Sequence, residues 1–151
     1  MTIAKMIVAA WCLSVSLADL YARRLPNLLT LGMCLLAIGW LLVTGHAMLG
    51  ASWQSVMLSA LVSLLLTLPA YVGRWLGAGD VKLLLAIALL GGNEIMLITF
   101  VIAAILAALF CMATFCFTQS SMPSPRSKRW IPFGAALGVG LLCVISTGSG
   151  T

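Results

Sequence analysis

The sequence predicts an all-α, polytopic bundle of about six transmembrane helices, and three observations support this fold class. Hydrophobic residues make up 63% of the chain and charged residues only 7%, and the mean hydropathy is +1.19. A water-soluble domain carries roughly a quarter charged residues, so this chain has too little polar surface to face water. Its apolar residues form long runs, and its lysines and arginines stand mainly between those runs. We therefore expect one domain, residues 1–151, whose main solvent is lipid.

Each apolar run can be compared with the roughly 20 residues that an α-helix needs to cross a bilayer. The predicted spans are residues 3–20, 28–45, 53–73, 81–92, 95–117 and 131–147. The fourth run covers only about 18 Å of a hydrocarbon core roughly 30 Å thick. Its start at Asp80 would therefore lie below the cytoplasmic surface. One long, bent helix over 81–117 is the alternative, but two helices preserve the alternation of loop charges.

The positions of lysine and arginine predict the orientation of the bundle, because these residues concentrate in cytoplasmic loops. The loops after the first, third and fifth spans, or the residues close to them, carry Arg23, Arg24, Arg74, Lys82, Arg126, Lys128 and Arg129. The loops after the second and fourth spans carry neither residue type. Both termini should then face the periplasm, although Lys5 opposes this. A cleaved signal peptide is disfavoured, because its removal would reverse every later loop.

The composition argues against nucleic-acid and metal binding. The net charge is +5, but the basic residues are dispersed along the chain rather than gathered in a patch. The five cysteines lie inside apolar runs without a CxxC pair, and the single histidine, His46, stands alone. Structural zinc needs four clustered ligands. We therefore expect buried, inert thiols, no metal and no cofactor.

The chain has three acidic residues, Asp19, Asp80 and Glu94. Carboxylates near lipid are costly and suggest a functional site. The predicted topology places Asp19 and Asp80 on the cytoplasmic side and Glu94 on the opposite side. Two carboxylates that share a site do not both ionise easily, so one can activate a water while the protonated one polarises a peptide carbonyl. Asp19 and Asp80 are thus the predicted catalytic pair of an aspartic peptidase.

Structural roles for the same acids stay open. Asp80 follows a glycine and opens a helix, so it could be an N-cap. Asp19 could pair with Arg23, four residues further on. Glu94 is expected to be a solvated turn residue.

The residues around Asp80 favour a peptide-binding site. Gly77 and Gly79 would let an extended substrate backbone approach without obstruction by side chains. Lys82 could tune the pKa of Asp80 or position the peptide, although a simple topology charge is an equally good interpretation.

Three segments resemble the motifs of type IV prepilin peptidases, and they follow one another along the chain in that family's order. Gly77-Ala78-Gly79-Asp80 is similar to the GxGD signature of intramembrane aspartic peptidases. Asp19 and the following 23–27 segment resemble the family's first motif, and residues 131–134 resemble the opening of its last helix. The predicted site-shaping or substrate-binding residues are Gly77, Gly79, Lys82, Arg23, Arg24, Pro26, Asn27, Pro132 and Gly134.

The resemblance implies a function and a location. Asp19 and Asp80 would be catalytic, and the enzyme would cleave the basic leader of prepilins or pseudopilins at the cytoplasmic face of the bacterial inner membrane. The substrate's apolar helix would lie in the bilayer beside the bundle. The cytoplasmic CxxC insertion of the larger bifunctional members is missing, which argues against methyltransferase activity. The chain resembles the compact peptidases of Flp-type, tight-adherence pili.

Two other functions remain as alternatives. A small proton- or cation-coupled transporter subunit would use the aspartates as ion sites. A non-catalytic membrane scaffold for pilus assembly would use them only structurally.

Overall fold

The computed structural model describes residues 3–22, 27–73, 76–117 and 133–147. These residues form five helices: α1 Ile3–Ala22, α2 Asn27–Thr44, α3 Trp53–Val72, α4 Ala78–Phe117 and α5 Phe133–Ser146. Over the same residues the only β pairing is an isolated bridge between His46 and Ser52. The all-α class is confirmed, and the helices agree with the predicted spans to within a few residues. Residues 118–132, which include the segment between the fifth and sixth predicted spans, fall outside the described part of the chain.

The longest helix, α4, is interrupted at Gly92, whose φ of 72° and ψ of −166° are not helical. Glycine adopts such a positive φ readily because it has no Cβ, and a Cβ here would lie 2.6 Å from that of Ala51. The interruption divides α4 into α4a, residues 78–91, and α4b, residues 93–117. This interruption lies at the junction of the fourth and fifth predicted spans, where the sequence favoured two helices over one bent helix. Asn93 and Glu94, which were assigned to the break, are helical.

Two polar backbone groups at this break find partners in the α2–α3 connection and in the first turn of α3. Helix ends leave N–H and C=O groups without intrahelical partners. The N–H of Leu49, in the connection, donates to the carbonyl of Leu90 at 3.1 Å, and the N–H of Asn93 donates to Oγ of Ser55, in α3, at 3.1 Å. The connection after α2 and the start of α3 therefore hold the break in α4.

Contacts along α4a set the directions of its neighbours. α3 runs antiparallel to it, because Ser59 Oγ donates to Ala88 O at 2.8 Å while Ser55 meets Asn93. α2 runs parallel to it. Its Cys34 lies against the carbonyl of Lys82, and the connection just beyond its end contacts Leu90.

α5 packs between α1 and α4 and runs antiparallel to α1. Gly138 lies against Ser16, while Ala135, nearer the start of α5, contacts Asp19. On its other side, an added Cβ at Gly140 would lie 3.0 Å from the Thr99 carbonyl oxygen. Both neighbouring helices thus approach α5 closely.

The distribution of apolar side chains is that of a helical membrane protein. α4a and α5 contribute many fully buried side chains, among them Leu83, Leu84, Ile87, Leu90, Leu137 and Leu141. Large side chains elsewhere stay exposed; Tyr21, Leu28 and Val43 are 96%, 87% and 87% exposed. α1, α3 and α4 are long and apolar enough to cross a membrane, and α2 and α5 are shorter apolar helices.

Candidate active site

Asp19 lies on the inward face of α1, together with Val8, Cys12, Val15 and Ser16. The side chain is 8% exposed, and its Oδ2 accepts a hydrogen bond of 2.8 Å from the backbone N–H of Ala135. Ala135 belongs to the first turn of α5, whose N–H groups lack intrahelical partners. A carboxylate in the last turn of α1 opposes that helix's dipole, but the N-terminus of α5 favours it. The N-terminus of α5 therefore offsets the unfavourable interaction of the Asp19 carboxylate with the dipole of α1.

Asp80 is the third residue of α4 and not its N-cap, so the N-cap interpretation was wrong. The carbonyl of Gly77 accepts from the N–H of Val81 at 3.2 Å, which makes Gly77 the N-cap. Asp80 Oδ2 in turn accepts from the N–H of Gly77 at 3.2 Å, which is one half of a capping box. Asp80 is half-buried, and the helix dipole favours its charge.

The helix directions place Asp19 and Asp80 at the same end of the bundle. α2 runs parallel to α4a, so the start of α2 at Asn27 lies at the end of the bundle where α4a begins. The chain from Ala22 to Asn27 spans at most about 18 Å, which keeps the last turn of α1 at that end. α5 also begins there, because Ala135 contacts Asp19. That the two carboxyl groups act together as a catalytic pair stays a prediction.

Glu94 lies beyond the break at Gly92, in the first turn of α4b. α4a extends about 17 Å from Asp80 to Gly91, and the Glu94 side chain is exposed. Its predicted separation from the two aspartates agrees with this geometry. Glu94 is helical, however, and not a turn residue.

The other predicted site residues divide into two groups. Gly77 is buried, Gly79 and Lys82 are half-buried in the same turn, and Gly134 is buried beside Ala135. Asn27 is the first residue of α2. The rest, Arg23, Arg24, Pro26 and Pro132, lie outside the described residues.

The sequence offered no signal for Ala135. Its contribution is a backbone N–H, which every residue except proline carries. Only its position directly after Gly134, in the third predicted motif, could have drawn attention to it.

The thiols differ in part from the expectation that all five are buried. Cys12 and Cys34 are buried, but Cys111 and Cys143 are exposed. Among the residues with a described placement, no group of three or more His, Cys, Asp or Glu side chains could hold a metal ion.

Comparison with known proteins gives one match. A model of the type IV leader peptidase family matches residues 6–112, which is more than two thirds of the chain and includes both aspartates. No curated protein and no solved structure gives a significant match.

Proposed function

The chain belongs to the type IV leader peptidase family, and from that premise we propose that it is an aspartic endopeptidase. Its proposed substrates are Flp-type prepilins or pseudopilins, whose basic leader it removes at the cytoplasmic face of the inner membrane. Membership of the family supports a leader-peptidase function in general. One observation carries the finer proposal: Asp19 and Asp80 lie at the same end of the bundle, and each accepts an N–H at a helix N-terminus.

The proposed chemistry needs only these two carboxyl groups and water. The ionised carboxylate removes a proton from water, and the water oxygen attacks the scissile carbonyl carbon. The protonated carboxyl gives its proton to the carbonyl oxygen, which produces a tetrahedral diol. When the C–N bond breaks, a proton moves to the leaving nitrogen, and one carboxyl is again ionised and the other protonated.

The helix lengths support a substrate that is partly embedded in lipid. α4a covers about 21 Å and α4b about 37 Å, while a hydrocarbon core is roughly 30 Å thick. If Gly92 lies at the outer face, Asp80 at the start of α4a lies below the cytoplasmic surface. An apolar helix in the bilayer, with a basic leader in the cytoplasm, would present its scissile bond near that depth.

The test is cleavage of a Flp-type prepilin by purified full-length protein in lipid vesicles. Asp19→Asn and Asp80→Asn should each lower the rate by roughly 10²- to 10⁴-fold, because an amide cannot exchange the required proton. Asparagine keeps an oxygen that can accept the Ala135 or Gly77 N–H, so both variants should still fold. Glu94→Gln is the matched control, since it makes the same change in the remaining acid, and it should cleave at the wild-type rate.

One specific observation favours the scaffold hypothesis: each carboxylate accepts a hydrogen bond from a backbone N–H at a helix N-terminus. A scaffold would not cleave prepilin when purified, whereas a peptidase must. Wild-type cleavage by either Asn variant would remove that residue from the catalytic pair. The transporter hypothesis gains no support, because Glu94, the remaining acid, is exposed at the far end of the bundle.

A further inference from the structure

Three of the four buried side chains of α3 carry hydroxyl groups; the fourth is Val56. Ser59 is 0% exposed and Ser63 and Thr67 are each 1% exposed, and their spacing of four residues places them along one face of the helix. Ser59 serves packing, because its hydroxyl donates to Ala88 O across the interface with α4a. Thr67, at the other end of this row, has no such evident use.

The register between α3 and α4a places Thr67 level with Asp80. Ser59 Oγ meets Ala88 O at 2.8 Å in this antiparallel pair. Thr67 follows Ser59 by eight residues, and Asp80 precedes Ala88 by eight residues. Both therefore lie about 12 Å from the same contact and in the same direction. The N–H of Leu76 donates to Ala70 O at 3.1 Å, which holds the α3–α4 connection at this end.

The Thr67 hydroxyl donates its hydrogen to Ser63 O at 2.7 Å, within its own helix. Threonine in a helix commonly donates to a preceding carbonyl in this way. The Ser63 carbonyl also accepts the N–H of Thr67 within the helix, so it keeps a partner when the hydroxyl rotates away. The hydroxyl can thus turn toward another acceptor without leaving a backbone group unpaired.

In the proposed reaction, Asp80 lies where the carboxyl charge changes. If Asp80 gives its proton to the scissile carbonyl, a negative charge develops on its carboxylate. A nearby hydroxyl that turns from Ser63 O to that carboxylate would stabilise the charge as it forms, and such stabilisation lowers the barrier to reaction. Only the hydrogen bond of the hydroxyl changes partner, and no proton leaves Thr67.

We propose that Thr67 is a positioning residue for Asp80 and stabilises its ionised form during peptide-bond cleavage. The inference rests on the proposed function. Because the effect arises in the transition state, it should change kcat and leave KM almost unaltered.

The experiment measures kcat and KM for prepilin cleavage by the full chain in vesicles. Thr67→Val keeps the shape of the side chain and removes the hydroxyl, and we expect kcat to fall roughly 10- to 100-fold, the effect of losing a hydrogen bond to a charged group. Thr67→Ser keeps the hydroxyl and should restore kcat. Ser63→Ala is the matched control, because it removes a buried hydroxyl of the same row one turn away, and its kcat should equal that of the wild type.

Three results would overturn the inference: a wild-type kcat for Thr67→Val, an equal loss for Ser63→Ala, or failure of Thr67→Ser to restore the rate. If Thr67→Val does not accumulate in the membrane, Thr67→Ala is compared with Thr67→Ser by the same criteria. Failure of the proposed function looks different, because then either the wild type would not cleave prepilin or Asp80→Asn would cleave it at the wild-type rate. If Thr67→Val had the wild-type kcat and Asp80→Asn were inactive, only the inference about Thr67 would be rejected.

Discussion

At the scale of single residues, the hydrogen bond between Asp19 and Ala135 explains how the fold tolerates a buried acid. A buried carboxylate is costly unless it is hydrogen-bonded. Asp19 is 8% exposed, and the N–H that it accepts comes from a residue 116 positions away in the chain. The bond also joins the first of the predicted motifs to the residue that directly follows the third. Asp19 is therefore held by α5, and changes in α5 should affect the site.

The backbone N–H of Ala135 can be removed by Ala135→Pro. Proline is tolerated in the first turn of a helix, so α5 should still form, but Asp19 would lose its donor. We expect the free energy of unfolding to fall by about 1.5–3 kcal/mol, as for other hydrogen bonds to charged groups, and cleavage to slow. Thermal unfolding in detergent and the cleavage rate measure the two effects. Ala135→Ser keeps the N–H and serves as the control; equal stability of the two variants would contradict this role of Ala135.

At the scale of the helices, close packing around α5 depends on its glycines. A Cβ at Gly138 would collide with Ser16 Oγ and would lie 3.2 Å from the backbone oxygen of Cys12. Glycine is otherwise unfavourable inside a helix, so its presence here is explained by the approach of α1. The same approach brings Ala135 to Asp19.

Gly138→Val should force α5 away from α1. Overpacking of this kind costs about 1–3 kcal/mol, and we expect a lower unfolding temperature together with slower cleavage, because Ala135 moves with α5. Gly39→Val on α2 is the control, since no atom lies within 4 Å of a Cβ at that position. If both variants were equally stable, the close packing of α5 on α1 would not be what Gly138 provides.

Much of this helical arrangement could be predicted from the sequence, and some could not. The apolar runs gave the helices because burial in lipid requires long, uninterrupted apolar segments. The break between the fourth and fifth predicted spans lies at Gly92, because glycine adopts a positive φ without strain. The partners of the break, Leu49 and Ser55, were missed because they lie far away in the sequence. Asp80 was only one candidate for the N-cap, and Gly77 takes that position. Aspartate and glycine both occur as N-caps, so residue type alone did not decide between them.

At the scale of the whole molecule, the placement of the two aspartates at one end could be predicted from the sequence but their surroundings could not. The alternation of basic loops placed Asp19 and Asp80 on one side, and the direction of α2 together with the short connection from α1 places them at one end. The α5 terminus that holds Asp19 and the α3 hydroxyl level with Asp80 both arise from tertiary packing. No local pattern marks either of them. Which end faces the cytoplasm stays a prediction from the loop charges.

The central claim is that Asp19 and Asp80 meet at one end of the bundle, and the most direct test is a cross-link between these positions. In a chain whose native cysteines are replaced, Asp19→Cys combined with Asp80→Cys should be joined within one molecule by a short bismaleimide. Asp19→Cys combined with Glu94→Cys should not, because Glu94 lies beyond the far end of α4a, which extends about 17 Å from Asp80 to Gly91. Cross-linking of positions 19 and 94, without cross-linking of 19 and 80, would contradict the claim.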